Sequence, residues 1–190
     1  MADATEFTLA GPAQILWGDA GVEEEFGKTE AGPTIVRIRE ETFPVTFHQT
    51  GVNPWDIYGV GKTVEVEANF ANMGWDLLLN VMPTEAKIYG GGVTTPTPAP
   101  GDQALDIQVG LGTSHRSYSK RLILKPYWEN APDTNPETWF IFPLAFPRID
   151  AEIEHGPDVQ KVIHVLFEIF PVSQACPRLF FMGNEANLPC

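Results

Sequence analysis

The residues best equipped for chemistry in this chain are paired carboxylates, a lysine in a glycine-rich run, four histidines and two cysteines. Glu65 and Glu67, like Glu152 and Glu154, stand two residues apart. On one strand face that places the carboxylates about 6 to 7 Å from each other, a separation used in glycoside hydrolysis. Neither pair is accompanied by an aromatic cleft that the sequence makes recognisable. Gly59-Val60-Gly61-Lys62-Thr63 mimics the end of a phosphate-binding loop, but the motif's first glycine would fall at Asp56. A strand also follows the lysine where a helix N-terminus would have to receive the phosphate. There is no GxSxG or HExxH, and the histidines are scattered. His155 and Asp158 flank a hairpin turn, where this spacing caps the turn. His48 reads as a satisfied or exposed strand histidine. Glu23, Glu24 and Glu25 are consecutive, so they point in different directions and suit a solvated loop better than a cation site. Cys176 and Cys190 lack CxxC or histidine spacing, so no metal site is expected and both thiols are expected to be reduced. No catalytic residue, metal or cofactor is assigned.

The elements that position these residues centre on Pro44 to Pro83. Val64, Val66, Ala68 and Phe70 alternate with Glu65, Glu67 and Asn69, the period-two pattern of a strand with one buried and one wet, acidic face. Ahead of it Gly51, Asn53, Pro54, Asp56, Gly59 and Gly61 are expected to break the chain, and Thr63 to restart it. Behind it Met73, Leu77, Leu78 and Val81 recur at helical spacing, broadened by Trp75 and Leu79. This predicts a helix over 72–82, capped by Asn72 and ended by Pro83.

Composition bounds the answer. The 190 residues suit a single well-cored domain. Twelve lysines and arginines against 25 acids give a formal charge of −13, which argues against a surface that binds nucleic acid by neutralising phosphates. With 43% hydrophobic residues and a mean hydropathy of −0.10, the chain is globular, and its 17 glycines and 17 prolines mark turns. No apolar stretch is long enough for a membrane-spanning helix. The opening MADATEF is acidic where a secretory signal is basic and then apolar, so the protein is expected to stay in the cytosol or be packaged from there.

In chain order, residues 1–12 read as an arm, Ala13–Trp17 as a short strand, and Gly18–Gly32 as an acidic turn-rich segment. Thr34–Arg39 reads as a strand with a basic edge, and Val45–His48 as the next. Residues 89–102, with three glycines and three prolines, form a loop that either touches a neighbour or is an inert insertion. Leu105–Leu111 and Tyr118–Tyr127 read as strands. Arg116, Lys120, Arg121 and Lys125 make the second of these the most basic part of the chain, better matched to acidic patches on another copy than to DNA. Thr138–Phe146 is an aromatic strand. A last hairpin joins a segment carrying Asp150, Glu152 and Glu154 on one face to Lys161–Phe170, where Val162, His164, Leu166 and Glu168 oppose Ile163, Val165, Phe167 and Ile169. About nine strands and one helix predict a mainly β protein, an antiparallel β-sandwich or barrel with one packed helix. Trp75 and Trp139 are expected in the core, and Trp55 and Trp128, in turns, at an interface.

Two blocks carry a family resemblance. Thr50, Gly51, Pro54, Asp56, Gly61, Val64 and Val66, followed by the Leu-rich helix, resemble the middle of the tail tube proteins of long-tailed, non-contractile (siphovirus-type) bacteriophages. His164–Phe170, Val172–Pro177 and Leu179–Gly183 resemble that family's closing strand, turn and strand. Together they cover about a third of the chain. The resemblance implies a structural virion protein, assembled in the host cytoplasm, whose six copies pair their sheets into a ring. The rings stack into a tube that conveys double-stranded DNA from capsid to host without specific binding. Implied partners are further copies, a tape measure protein and tail terminator or initiator proteins, with no membrane partner. On this reading Glu65, Glu67, Asp150, Glu152 and Glu154 are candidates for an acidic lumen, and Arg116, Lys120, Arg121, Lys125, Trp55 and Trp128 for the subunit interface. The arm 1–12, the loop 89–102 and the tail 184–190 are candidates to bridge rings. Two rivals stand beside it: another ring-forming component, such as a gene transfer agent tube or tail completion protein, and a monomeric β-sandwich binding module.

Overall fold

A computed structural model describes residues 5–8, 12–27, 29, 33–45, 56–70, 86–90, 103–107, 112, 114–129, 131–149, 163–183, 185 and 188. The helix expected over 72–82 lies outside them, as do Trp55, Trp75, His48, most of the glycine/proline loop and the segment 150–162 with Asp150, Glu152 and Glu154. The described elements are mainly β. The first half supplies β1 (Thr5–Thr8), β2 (Ala13–Gly18), β3 (Glu24–Gly27), β4 (Ile35–Val45), β5 (Asp56–Phe70) and β6 (Ala86–Gly90). The second supplies β7 (Gln103–Ile107), β8 (Lys120–Trp128), β9 (Ala131–Pro132), β10 (Phe140–Ile149), β11 (Ile163–Ile169) and β12 (Phe181–Met182). Single 3-10 turns occupy His115–Tyr118 and Pro136–Thr138.

Every strand pairing is antiparallel. The main sheet runs β1-β4-β5-β11-β10-β8-β2-β3, with β12 added to β10 and β9 to β8, while β6 and β7 form a separate hairpin. This sheet cannot be flat. β1 and β2 stand six places apart along it, about 29 Å at ordinary strand spacing, yet the five peptide steps from Thr8 to Ala13 reach at most about 19 Å. An isolated antiparallel bridge shows how the difference is absorbed: Thr29, just past β3, pairs with Phe70 at the end of β5. β4 leaves that edge of β5 at the Ile35–Glu67 pair, so Thr29 takes up the edge where β4 ends, and the β3 end of the sheet curls round to meet β5.

The concave side holds the core. Ile15 and Trp17 of β2, Phe26 of β3, Val64, Val66, Ala68 and Phe70 of β5, Leu122 and Leu124 of β8, Phe140 and Phe142 of β10, and Val165, Phe167 and Ile169 of β11 are buried in one cluster. Phe26 is the keystone of the seam, with its ring 5.8 Å from Trp17, 5.2 Å from Phe70 and 5.0 Å from Phe167. The Trp17 indole N–H donates to the Ala145 carbonyl at 3.1 Å, so a core side chain also fastens β2 to the far strand β10. A second, smaller cluster lies on the opposite face. Ile123, Ile141 and Phe181 are buried there, with Leu16, Trp139 and Leu188 packed against them.

Several expectations change. The strand read as 64–70 begins at Asp56 and passes through Gly59 and Gly61. The glycines mark a bulge and no break: Glu41 pairs with Gly61 and Thr42 with Gly59, leaving Val60 as the extra residue. Gly59 also admits a close approach, since a Cβ there would sit 2.9 Å from Glu40 Oε1. The strand expected at 34–39 runs on as β4 to Val45, paired with β5 on both sides of that bulge, and the strand expected at 45–48 lies outside the described residues beyond Val45. Within the acidic segment 18–32, Glu24–Gly27 form β3, and within the arm 1–12, Thr5–Thr8 form β1. Tyr89 and Gly90 belong to the β6–β7 hairpin rather than to the loop. In β10 the ladder to β8 shifts between Phe142 and Ala145, where Pro143 has no N–H to donate. The alternation over 163–169 stands as read, whereas the aromatic strand expected over 138–146 begins at Phe140, after the 3-10 turn that holds Thr138, and runs on to Ile149.

Candidate interaction surfaces

The wet faces of β4, β5, β11 and β10 form one continuous charged surface. Because Val64, Val66, Ala68 and Phe70 turn inward, Glu65 and Glu67 turn outward, and β4 brings Arg37 and Arg39 alongside them. Glu67 is paired with Arg37, and Glu65 lies 3.5 Å from Arg39. These pairs are diagonal, since Arg37 stands directly opposite Glu65 and Arg39 opposite Thr63. On the other flank Glu168 of β11 faces Glu65 directly, an arrangement of like charges that costs stability unless each is drawn away. Arg148 of β10 does this for Glu168, at 2.5 Å, and His115 Nδ1 approaches its other oxygen at 3.0 Å. The His115 ring stacks on Phe146 at 4.3 Å, and His164 Nε2 lies 3.8 Å from Glu67. Burial pushes the Glu168 carboxyl up, but the hydrogen bonds and charges of Arg148 and His115 outweigh it and hold the group below its ordinary value.

Glu65 and Glu67 therefore do not form a bare acidic stripe. Three carboxylates, Glu65, Glu67 and Glu168, are set against three guanidinium groups, Arg39, Arg37 and Arg148, giving a charge-balanced lattice. Sequence reasoning saw the two carboxylates and the basic edge of the 34–39 strand separately. Arg148, Glu168 and His115 were missed as members because they are far apart in sequence.

The basic residues of the β8 region all have partners within the chain. Arg116 donates to the Pro171 and Val172 carbonyls, both at 2.8 Å, and so fastens its 3-10 turn to the segment after β11. Lys120 lies 5.2 Å over the Trp17 ring and 3.8 Å from Asp19. Arg121 lies 3.3 Å from Glu23 and 3.1 Å from Glu185. Lys125 sits 4.0 Å over the Trp139 ring, and Trp139 belongs to the outer cluster, not the main core. Trp128 is 73% exposed at the tip of the β8–β9 hairpin. A rigid turn follows it, where Asp133 accepts from the Asn135 N–H and the Thr138 hydroxyl; the Asn135 bond above all lowers its carboxyl pKa. The glycine-rich run 59–63 lies inside β5, paired with β4, so no helix N-terminus stands beside Lys62.

Open strand edges are the third surface feature. β1 covers only Ile35–Ile38 of β4, and β11 covers only residues 65–70 of β5. Among the described residues the ribbon formed by 39–45 and 56–64 thus keeps both outer edges unpaired.

The reduced thiols expected from spacing are a correction: Cys176 is disulfide-bonded, and Cys190 is the chain's one other cysteine. Among the described residues no group of three or more histidine, cysteine, aspartate or glutamate side chains is placed to hold a metal ion, and no helix is long and apolar enough to cross a membrane. No protein-family model and no curated protein matches the chain.

Proposed function

We propose that this protein is a structural subunit of a virion, self-assembling through its sheet edges into six-membered rings that stack as the tail tube of a siphovirus-type bacteriophage. The observation that carries this reading is the β4–β5 ribbon, whose two outer edges are unpaired among the described residues. A subunit that offers one edge of 39–45 and another of 56–64 can give the first to one neighbour and the second to the next. Such head-to-tail pairing closes into a ring when the rotation between copies allows it, and it removes edges that would otherwise invite uncontrolled association. The curled sheet, closed at its seam as a barrel, supplies the rigid body from which the ribbon extends. Trp128 is the aromatic anchor for a further contact.

The lattice of Glu65, Glu67, Glu168, Arg37, Arg39 and Arg148 suits a wall along which double-stranded DNA slides. Each of these arginines is already held by a carboxylate, so phosphates meet no free guanidinium in the lattice, and the chain's charge of −13 repels them overall. Tape measure, terminator and initiator proteins are the partners this assembly would require.

Negative-stain electron microscopy over a concentration series tests the reading, using Lys62→Pro and Thr63→Pro beside the parent chain. Successive strand residues donate to opposite edges, so one of the two prolines removes a donor from the open edge while sparing the β4 ladder. Rings or tubes of the parent, with a bore wide enough for a duplex about 20 Å across, and their loss in one proline variant with an unchanged circular dichroism spectrum, are the expected results. Assembly by both variants would remove edge pairing as its basis. Monomers of the parent at every concentration and salt would favour the binding module, with Trp128 as its platform.

A further inference from the structure

We propose that Trp128 of one copy inserts into a cavity beside Trp17 of a second copy, a head-to-tail contact made by opposite ends of the same strand. The cavity lies at the β2–β3 turn, measures about 270 Å³ and is lined by Trp17, Gly18, Asp19, Val22, Glu24 and Lys120. It is a little smaller than the roughly 300 to 1,000 Å³ of small-molecule sites, a size suited to one large side chain. The turn that builds it is fixed from within. The Val22 N–H donates to the Asp19 carbonyl and the Gly21 N–H to the Glu23 carboxylate, both at 3.0 Å. Gly18 lets the turn close on it, because a Cβ there would stand 2.9 Å from the Glu23 Cα. The cavity is thus preformed, and filling it requires little further ordering of the chain.

The knob is equally fixed. Trp128 ends β8, pairs with Ala131 of β9, and is followed by Glu129 at a φ of 49°, a left-handed conformation uncommon outside glycine. The Asp133 N–H donates to the Pro126 carbonyl at 2.7 Å and ties down the returning chain. Among the described residues Trp128 is the most exposed large hydrophobic side chain. Lys120 and Trp128 bound β8 and stand about 26 Å apart at roughly 3.3 Å per residue, so no copy reaches its own cavity. Knob and cavity also match in charge. An indole is negative over its face and positive at its N–H. Lys120 already holds its ammonium 5.2 Å over the Trp17 ring and 3.8 Å from Asp19, so a second ring on its other side would enclose it between two aromatics, as in cages that bind ammonium groups. Asp19 and Glu24 supply acceptors for the incoming indole N–H, whereas Glu23 is engaged by Gly21 and Arg121. Such a contact is head-to-tail and builds rings or open chains according to the rotation between copies. It needs no edge pairing; only its placement between successive rings rests on the tube reading.

The test measures association between donor-labelled Trp128→Ala and acceptor-labelled Lys120→Glu proteins by fluorescence energy transfer, in about 500 mM salt to screen the charge of −13 on each copy. The first variant keeps a cavity and no knob; the second keeps a knob, with a carboxylate in place of the ammonium that would receive it. Only the mixture can therefore form the contact. Cross-association is expected to be at least about 10-fold tighter than self-association of either variant. Edge pairing acts alike in all three samples, so its success or failure leaves that ratio unchanged. Equal affinities would overturn the inference and return the cavity to an occupant other than a second copy. Should Lys120→Glu lose the near-ultraviolet circular dichroism of the parent, Val22→Arg at the exposed rim takes its place, with the same ratio expected and the same result against it.

Discussion

At the scale of single residues, Glu168 concentrates the most structure in one side chain. It joins β10 through Arg148, holds the 3-10 turn through His115, and stands opposite Glu65. Replacing it by glutamine keeps the shape and removes the charge. For a partly buried carboxylate with two charge-assisted partners, the expected loss is about 1 kcal/mol after allowance for solvent screening, read from urea denaturation at pH 7. The pH dependence follows from the direction of the shift. A carboxyl held below its ordinary value in the folded state stabilises the fold fully above the unfolded value of about 4.3, and that contribution disappears as pH falls through the lower folded value. The gap between parent and Glu168→Gln should therefore be constant from pH 7 to about 5 and close below about 4. A gap that persisted at pH 3 would show that the charge is not its source. Little of this was legible beforehand. Glu65 and Glu67 announced themselves by alternation, but their partners depend on a register that places Arg37 and Arg39 diagonally across, and Arg148 and His115 give no local sign. The disulfide is missed for a similar reason: motif spacing describes cysteines a few residues apart, whereas Cys176 and Cys190 are separated by most of the chain's last turn-rich stretch in sequence.

At the scale of elements, β5 and β11 could be read directly, because one face of each is buried and the other wet, which leaves a period-two signature. β3 could not. Glu-Glu-Phe-Gly in an acidic stretch has poor strand propensity, and it is a strand because Phe26 fills the space between Phe70 and Phe167, residues supplied by distant parts of the chain. The same dependence yields a prediction. Phe26→Ala removes three ring contacts at the seam at once and should cost about 3 to 4 kcal/mol by chemical denaturation. It should also raise hydrogen exchange at Thr29 and Phe70 ahead of that at Leu122 and Leu124, since the seam has lost its filling while β8 has not. Uniform acceleration would show that the seam is no separate weak point. Gly59 and Gly61 show the opposite error of reading. Local punctuation suggested a break, but pairing with β4 from Asp56 to Glu67 overrides it, and the bulge at Val60 absorbs the surplus residue.

At the scale of the whole molecule, charge would set the conditions for the proposed assembly. Six copies at −13 each would carry −78, so rings of the proposed kind would form against considerable mutual repulsion. Raising the salt from about 50 to 500 mM shortens the screening distance from roughly 14 to 4 Å and should move ring formation to lower protein concentration, as followed by analytical ultracentrifugation. An assembly that weakened with salt would point instead to contacts between opposite charges. The curled sheet also has a consequence for how the protein is made. β5 ends at Phe70, but its neighbour β11 ends at Ile169. At a translation rate of roughly 5 to 20 residues per second, the ribosome needs on the order of 5 to 20 seconds to deliver the second after the first. Throughout that interval the nascent β4–β5 hairpin has no β11 to cover it, and on a polysome several such hairpins are exposed side by side. Synthesis thus imposes a waiting time during which residues 65–70 of β5 lack the strand that later covers them, and the charges at Glu65 and Glu67 stand on that stretch.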